Sequence, residues 1–264
     1  MDKKLIRLKK ILKELKSVVV AYSGGVDSSF LLKVAVDTLG RENVLAVTAR
    51  SETYPYREFK EAKDLAQRIG ARHKVINTSE LKIKGFKKNP INRCYYCKKE
   101  LFLKLKNIAK REKLNYCLDG TNYDDLKDQR FGRFAAQELD IRSPLLTARI
   151  TKDEIRRFSK TLKLKTWNKP AFACLASRFP YRSKITKKGL SMVEKAEEFL
   201  RGFGIRQVRV RHYGEIGRIE VFPEDIKILL DPKNAKMISQ KFKKLGFLYT
   251  MVDLEGYKTG SMAK

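Results

Sequence analysis

The chain has 264 residues, enough for one large domain and a small one, and 42% of them are hydrophobic, which excludes wholesale disorder. No run approaches the ~18 apolar residues needed to cross a bilayer, and the charged N-terminal stretch lacks the apolar centre of a secretory signal. The sequence therefore reads as a cytoplasmic protein with no membrane partner. The net charge of +29, from 59 Lys and Arg against 30 Asp and Glu, is spread along the whole chain rather than clustered. Two readings compete, an electrostatic footprint for nucleic acid or phosphorylated small molecules and a Lys-rich solvated surface; the even spread favours the second and disfavours nucleic acid as a partner, and the charge does not decide the substrate.

Leu5, Leu8, Ile11, Leu12 and Leu15 share one face, which predicts a helix over residues 3 to 15. The apolar run from Val18 to Tyr22 suits a strand buried on both faces, and Ser23-Gly24-Gly25 turns the chain into a helix from Asp27 to Leu39. Strands over residues 44–49, 73–77 and 114–118 alternate with helices over 57–69 and 95–111. That alternation implies βαβ units on a mainly parallel sheet, an α/β domain over residues 1–165. Residues 166–185 carry Pro170 and Pro180 with few periodic apolar positions and read as a long loop. Residues 186–264 then give a helix over 187–203, two strands around Gly214, further helical segments and a last strand over 248–252, a small α+β domain. The last few residues are expected to fray.

The strongest signal is Val20-Ala21-Tyr22-Ser23-Gly24-Gly25-Val26-Asp27-Ser28-Ser29. Two glycines let the backbone approach a ligand and take positive φ, and the free amides of the following helix turn favour an anion. The hydroxyls of Ser23, Ser28 and Ser29 add donors. The terminal Lys of the common phosphate loop is missing, and Asp27 would repel phosphate unless a Mg²⁺ lies between. The motif resembles the SGGxDS loop of the ATP-pyrophosphatase (PP-loop) class, which cradles the pyrophosphate of ATP. Thr48-Ala49, at the end of the second strand, and Gly120-Thr121, at the end of a later one, are expected to complete the nucleotide site.

Of the four cysteines, Cys94 and Cys97 stand three apart, on one face if helical. Such a pair is open to several readings: a zinc half-site, a redox couple, part of an iron–sulfur site, or structure. Zinc wants four ligands, and the chain has two histidines and no second CxxC. Cys174 lies in the long loop near Arg178, where it could act as nucleophile or ligand, or pack as a small apolar residue. With Cys94 and Cys97 it would supply the three thiolates that can hold a [4Fe-4S] cluster with one iron open. Cys117, in an apolar run, reads as core.

The phosphate loop together with the segments 89–102, 119–125, 142–145 and 170–178 resembles the LarE family, in the family's order and over roughly residues 15 to 185. Gln129-Arg130-Phe131-Gly132 departs from the family, which often has Pro at the third position. The resemblance implies an ATP-dependent sulfur transferase that helps make the nickel-pincer nucleotide cofactor of lactate racemase. Its implied substrate is a small nucleotide, pyridinium-3,5-biscarboxylic acid mononucleotide, activated as an acyl-adenylate with release of pyrophosphate. Cys174 matches the family's sulfur-handling cysteine. It is sacrificed to dehydroalanine in members that have it alone; members with the CxxC pair resemble iron–sulfur proteins. The triplet Cys94, Cys97 and Cys174 favours the cluster version, with ATP and Mg²⁺ as further cofactors, a homo-oligomeric assembly and a sulfide donor as candidate partner. Arg209 and Arg211 share one side of a strand, suit the substrate's phosphate, and are grouped with Arg178 for that role. Competing readings are tRNA thiolation, which the missing tRNA-binding domain disfavours, an amidating synthetase, which would leave the thiols idle, and a non-catalytic nucleotide-binding regulator.

Overall fold

The structure, a computed structural model, describes residues 2–126, 131–170 and 173–258. Gln129, Arg130, Ala171 and Phe172, which figure in the segments above, and the end expected to fray, 259–264, lie outside the described residues. The chain divides into two compact units, Met1–Ser79 with Asn92–Phe172, and Glu80–Ile91 with Ala173–Lys264.

In the first unit α1 (Lys3–Leu15), β1 (Val18–Ala21), α2 (Val26–Leu39), β2 (Val44–Arg50), α3 (Tyr56–Ile69), β3 (Arg72–Asn77), α4 (Arg93–Arg111) and β4 (Tyr116–Leu118) follow in order. The strands form one parallel sheet in the order β3-β2-β1-β4. Period-two alternation sorts their side chains: Val18, Val20, Val44 and Ala46 pack with Phe30, Leu31, Leu8 and Leu12 on one face. Val19, Leu45 and Val47 pack with Phe102, Leu105 and Ile108 on the other. Both faces are covered, which is why the strands read as unbroken apolar runs. The order reverses between β1 and β4, so the crevice past their carboxyl ends is a topological switch point, where open α/β sheets bind ligands.

Three short helices follow that the apolar spacing did not disclose: α5 (Gly132–Glu138), α6 (Pro144–Thr147) and α7 (Lys152–Thr161). The last begins with a capping box, Thr151 accepting from the Glu154 amide while Glu154 accepts from the Thr151 amide.

The second unit contains α8 (Lys187–Arg201), β5 (Val208–Tyr213), β6 (Ile216–Val221), α9 (Ile226–Leu230), α10 (Pro232–Leu245) and β7 (Tyr249–Val252). Its smaller sheet is mixed: β5 and β6 are antiparallel and β7 pairs with β6 in parallel. Residues 80–91, which the sequence placed in the first domain, cluster with this unit. The cause is local: the Asn89 amide nitrogen donates to the carbonyls of Phe179 and Pro180, and the carbonyls of Lys87 and Asn89 accept from the amides of Ile185 and Arg182. Among the described residues, no helix is long and apolar enough to cross a membrane.

Candidate active site

β1 delivers the chain to the switch point and α2 leaves from it. Gly24 between them has φ +62°, a left-handed value that disfavours any side chain, and a Cβ there would lie 2.5 Å from the Ala62 Cβ on α3. Gly25 caps α2 with no side-chain hydrogen bond, so the first-turn amides keep their donors for a ligand. The loop is braced from beneath. The Ser23 and Ser28 hydroxyls meet at 3.1 Å, and the Tyr54 hydroxyl donates to the Ser23 carbonyl at 2.8 Å. Thr48, buried, donates to the Tyr22 carbonyl at 2.9 Å and meets His73 Nε2 at 2.8 Å. With its own proton engaged on the carbonyl, Thr48 must accept from the ring, which fixes the tautomer with hydrogen on Nε2. Burial, with the Lys63 charge behind it, holds His73 below its ordinary pKa, so it stays neutral.

Of the residues expected to line the loop, Ser23 is exposed and Gly25 and Asp27 are half-buried; Val26, Ser28 and Ser29 face inward. Gly120 closes the other side: a Cβ there would come within 3.1 Å of the Ser28 amide nitrogen. Asp119 fixes that turn by accepting from the Thr121 amide, the Thr121 hydroxyl and, at 2.7 Å, the Ser143 hydroxyl. Thus Ser23–Ser28 and Gly120–Thr121 meet at one crevice, and Thr48 holds the loop's backbone while Ala49 follows it, half-buried.

Reasoning from sequence missed Lys152. Its Nζ donates to Asp27 Oδ2 at 2.6 Å, while its backbone amide is held by Asp124 Oδ2 at 2.8 Å. The Thr151-x-x-Glu154 box was the available signal for a helix start there.

Cys94 and Cys97 lie in the first turns of α4, the first exposed and the second half-buried. Cys174 precedes a short 3-10 turn over Leu175–Arg178 in the second unit, half-buried. Cys117 is buried, and burial pushes its thiol up to about 11. Arg178 is 1% exposed and its donors are engaged within the protein. It forms a two-pronged pair with Glu197 at 2.7 and 3.0 Å and donates to the carbonyls of Ala173 and Cys174 and to the Ser177 hydroxyl. This geometry makes Arg178 the clamp of the cysteine turn rather than an open anion donor. Arg211 donates to the Ser177 carbonyl at 2.9 Å and to Glu220 at 2.6 Å. Arg209 lies over the Tyr257 ring, and burial, with the Arg178 charge next, pushes it down to about 10.

A strand, a Ser-Gly-Gly bend and a helix opening at the switch point of a parallel sheet define an ATP-using domain of the PP-loop class. A family model described as NAD synthase matches residues 3–118. The chain is 43% identical to an uncharacterized protein of Synechocystis over 99% of its own length and 97% of that protein's. It is 38% identical to pyridinium-3,5-bisthiocarboxylic acid mononucleotide synthase of Lactiplantibacillus plantarum, over 95% of this chain and 90% of that one. A further relative, from Methanocaldococcus jannaschii, is 35% identical over 97% of this chain and 98% of its own. The chain belongs to the LarE family of ATP-dependent sulfur transferases.

The residues fit the Mg²⁺ that accompanies ATP in this class: Asp27 Oδ1 is a buried carboxylate oxygen with no hydrogen-bond partner among the described residues, the hard donor such an ion takes. Replacing Gly24 by Ala is expected to weaken ATP binding by about tenfold to a hundredfold, since the left-handed backbone alone costs ~1–2 kcal/mol and the added methyl must displace α3. Isothermal titration with ATP, beside Gly40→Ala as a control in open space at similar φ, measures it.

Proposed function

We propose that this enzyme adenylates a carboxylate of pyridinium-3,5-biscarboxylic acid mononucleotide and replaces one of its oxygens with sulfur, giving a thiocarboxylate. The observation that carries the reading is the open anion cradle of the Ser23–Ser28 loop, in a chain similar nearly end to end to a synthase named for the bisthiocarboxylic product. A carboxylate oxygen attacks the α-phosphorus and pyrophosphate leaves. The first-turn amides of α2 neutralise the charge that builds on it, and a Mg²⁺ held by Asp27 would supply further positive charge there. A sulfur nucleophile then attacks the activated carbonyl and AMP departs. Arg209 and Arg211 are the proposed anchors of the substrate's phosphate, with Arg178 steadying the cysteine turn beneath them.

Cys94, Cys97 and Cys174 are the proposed holders of a [4Fe-4S] cluster, which when bound would carry a transferable sulfide at its open iron. Thiolate is the ligand such a cluster takes; Cys94 is exposed and Cys97 and Cys174 are half-buried, whereas Cys117 is buried with a raised pKa. In a second reading Cys174 gives up its own sulfur, as the family resemblance implies for members that have that cysteine alone. The reading places the enzyme in the cytoplasm, where ATP and reduced thiols coexist, as a homo-oligomer served by a sulfide donor.

Anaerobic purification with iron and sulfide analysis separates the two routes. The cluster reading expects about four irons per chain, lost on Cys97→Ala. Iron-free protein that turns over once and leaves residue 174 as dehydroalanine by mass would replace it with the sacrificial route. Absence of pyrophosphate release with the biscarboxylic nucleotide would sink both.

A further inference from the structure

Beyond β7 the chain turns back along β6. The Asp253 amide donates to the Ile219 carbonyl at 2.9 Å, the Gly256 amide to the Asp253 carbonyl at 3.1 Å, and the Tyr257 amide to the Val221 carbonyl at 2.7 Å. Gly256 makes the turn possible. It is buried, its φ is +69°, and a Cβ there would lie 2.7 Å from the Val221 carbonyl oxygen. Three backbone hydrogen bonds and a glycine that tolerates no side chain therefore fix where residue 257 arrives.

What arrives is an aromatic ring. Tyr257 meets Phe222 edge-on at 5.8 Å, and the Arg209 guanidinium lies over its face, 5.4 Å from the centre. Arg209 is buried and donates to the Val208 carbonyl at 2.9 Å. Burial and the neighbouring Arg178 charge both disfavour a cation at Arg209, so a π face or an anion is what stabilises it there. A guanidinium carries its five donors in one plane. A ring face against that plane sets its tilt and keeps water from it while consuming none of the in-plane donors. An anion met at the edge of the plane is then held in a drier place, where the attraction is stronger.

We propose that Tyr257 is a positioning residue for the substrate's phosphate: its ring holds the Arg209 guanidinium with its edge toward the phosphate of the pyridinium mononucleotide. The segment 253–257 thereby makes the preference for a nucleotide over the corresponding nucleoside depend on a ring that lies outside the Arg209 strand. The inference rests on the reading of Arg209 as a phosphate anchor.

The test follows exchange of labelled pyrophosphate into ATP by the full chain, driven either by pyridinium-3,5-biscarboxylic acid mononucleotide or by its nucleoside, with kcat/KM taken for each. Tyr257→Leu keeps an apolar contact with Phe222 and removes the aromatic face; Tyr257→Phe keeps the face. Loss of a buried cation–π contact predicts a nucleotide-to-nucleoside ratio about fivefold to tenfold lower in Tyr257→Leu, through KM rather than kcat. Tyr257→Phe should stay within about twofold of wild type, since the π face is what acts. Phe222→Leu, which removes only the edge partner of the ring, is the milder variant and carries the test if Tyr257→Leu does not fold; its ratio should fall about twofold to threefold. Equal losses for the two compounds would leave Tyr257 a merely structural role, and an unchanged ratio would separate it from the phosphate; either overturns the proposal. A Tyr257→Phe variant as impaired as Tyr257→Leu would assign the effect to the hydroxyl and overturn it too. A wild type that exchanges pyrophosphate equally well with both compounds would instead defeat the underlying reading of Arg209.

Discussion

Cys174→Ala is expected to abolish thiocarboxylate formation, a loss of at least about a thousandfold, while exchange of labelled pyrophosphate into ATP stays within about threefold of wild type. In the proposed chemistry Cys174 delivers or holds the transferred sulfur, so its removal leaves no substitute nucleophile, which makes the first loss large. The second quantity is spared because the chain separates the two tasks. The phosphate loop, Gly120 and Lys152 belong to the first unit, and Cys174 to the second. The proposed adenylation rests on the loop amides and an ion at Asp27, all in the first unit. Cys117→Ala is the control, since that thiol is buried with its pKa raised to about 11 and is unsuited to act as a thiolate near neutral pH. It should retain transfer and lose about 1 kcal/mol of stability through the small cavity it leaves. Cys174→Ala with transfer intact would remove residue 174 from the chemistry. Parallel loss of pyrophosphate exchange would show that the cysteine turn also builds the nucleotide site.

The large domain was legible because its physics is local in sequence. Unbroken apolar runs such as Val18–Ala21 mean strands covered on both sides, and the helices between them carry regular apolar faces. The glycines declared the loop because Gly24 needs both a left-handed backbone and the absence of a Cβ against Ala62. What stayed hidden depended on partners far along the chain. Lys152 sits among many similar lysines, and nothing in its neighbourhood names Asp27. Residues 80–91 fall in the first domain by sequence, and nothing in them announces that Asn89 and Lys87 hold the backbone around 179–185. Arg178 looked like an anion ligand because composition cannot show that a guanidinium's donors are already engaged. The helices α5 to α7 were missed for another reason: they are short, and a period needs several turns to declare itself.

Glu197→Ala should be the most damaging stability change in the second unit, costing about 3–5 kcal/mol, the usual effect of leaving a buried charge unpaired. The Glu197 carboxylate accepts both prongs of Arg178, the Val210 amide at 3.1 Å and Arg201 at 3.1 Å, with 1% of its surface exposed. Burial alone would raise its pKa; the Arg178 charge and hydrogen bonds, with Arg209 and Arg201 beyond, more than reverse this and hold it below the ordinary value. A carboxyl with a depressed folded pKa stabilises the fold above its unfolded value, about 4.3, and loses that contribution as pH falls through the folded one. Urea unfolding near neutral pH should therefore show the full penalty for Glu197→Ala, and the gap to wild type should narrow in acid. Glu197→Ala combined with Arg178→Met should recover part of the stability, because the most buried of the guanidiniums facing Glu197 is then no longer left unpaired, while Arg201 and Arg209 still lose their countercharge. Sulfur transfer should not recover with it. Arg178 is what ties the carbonyls of Ala173 and Cys174 in place, so the double variant would fold with an unanchored cysteine turn. Recovery of transfer along with stability would mean that the position of Cys174 is set by the rest of its turn and that the Arg178–Glu197 pair serves the fold alone.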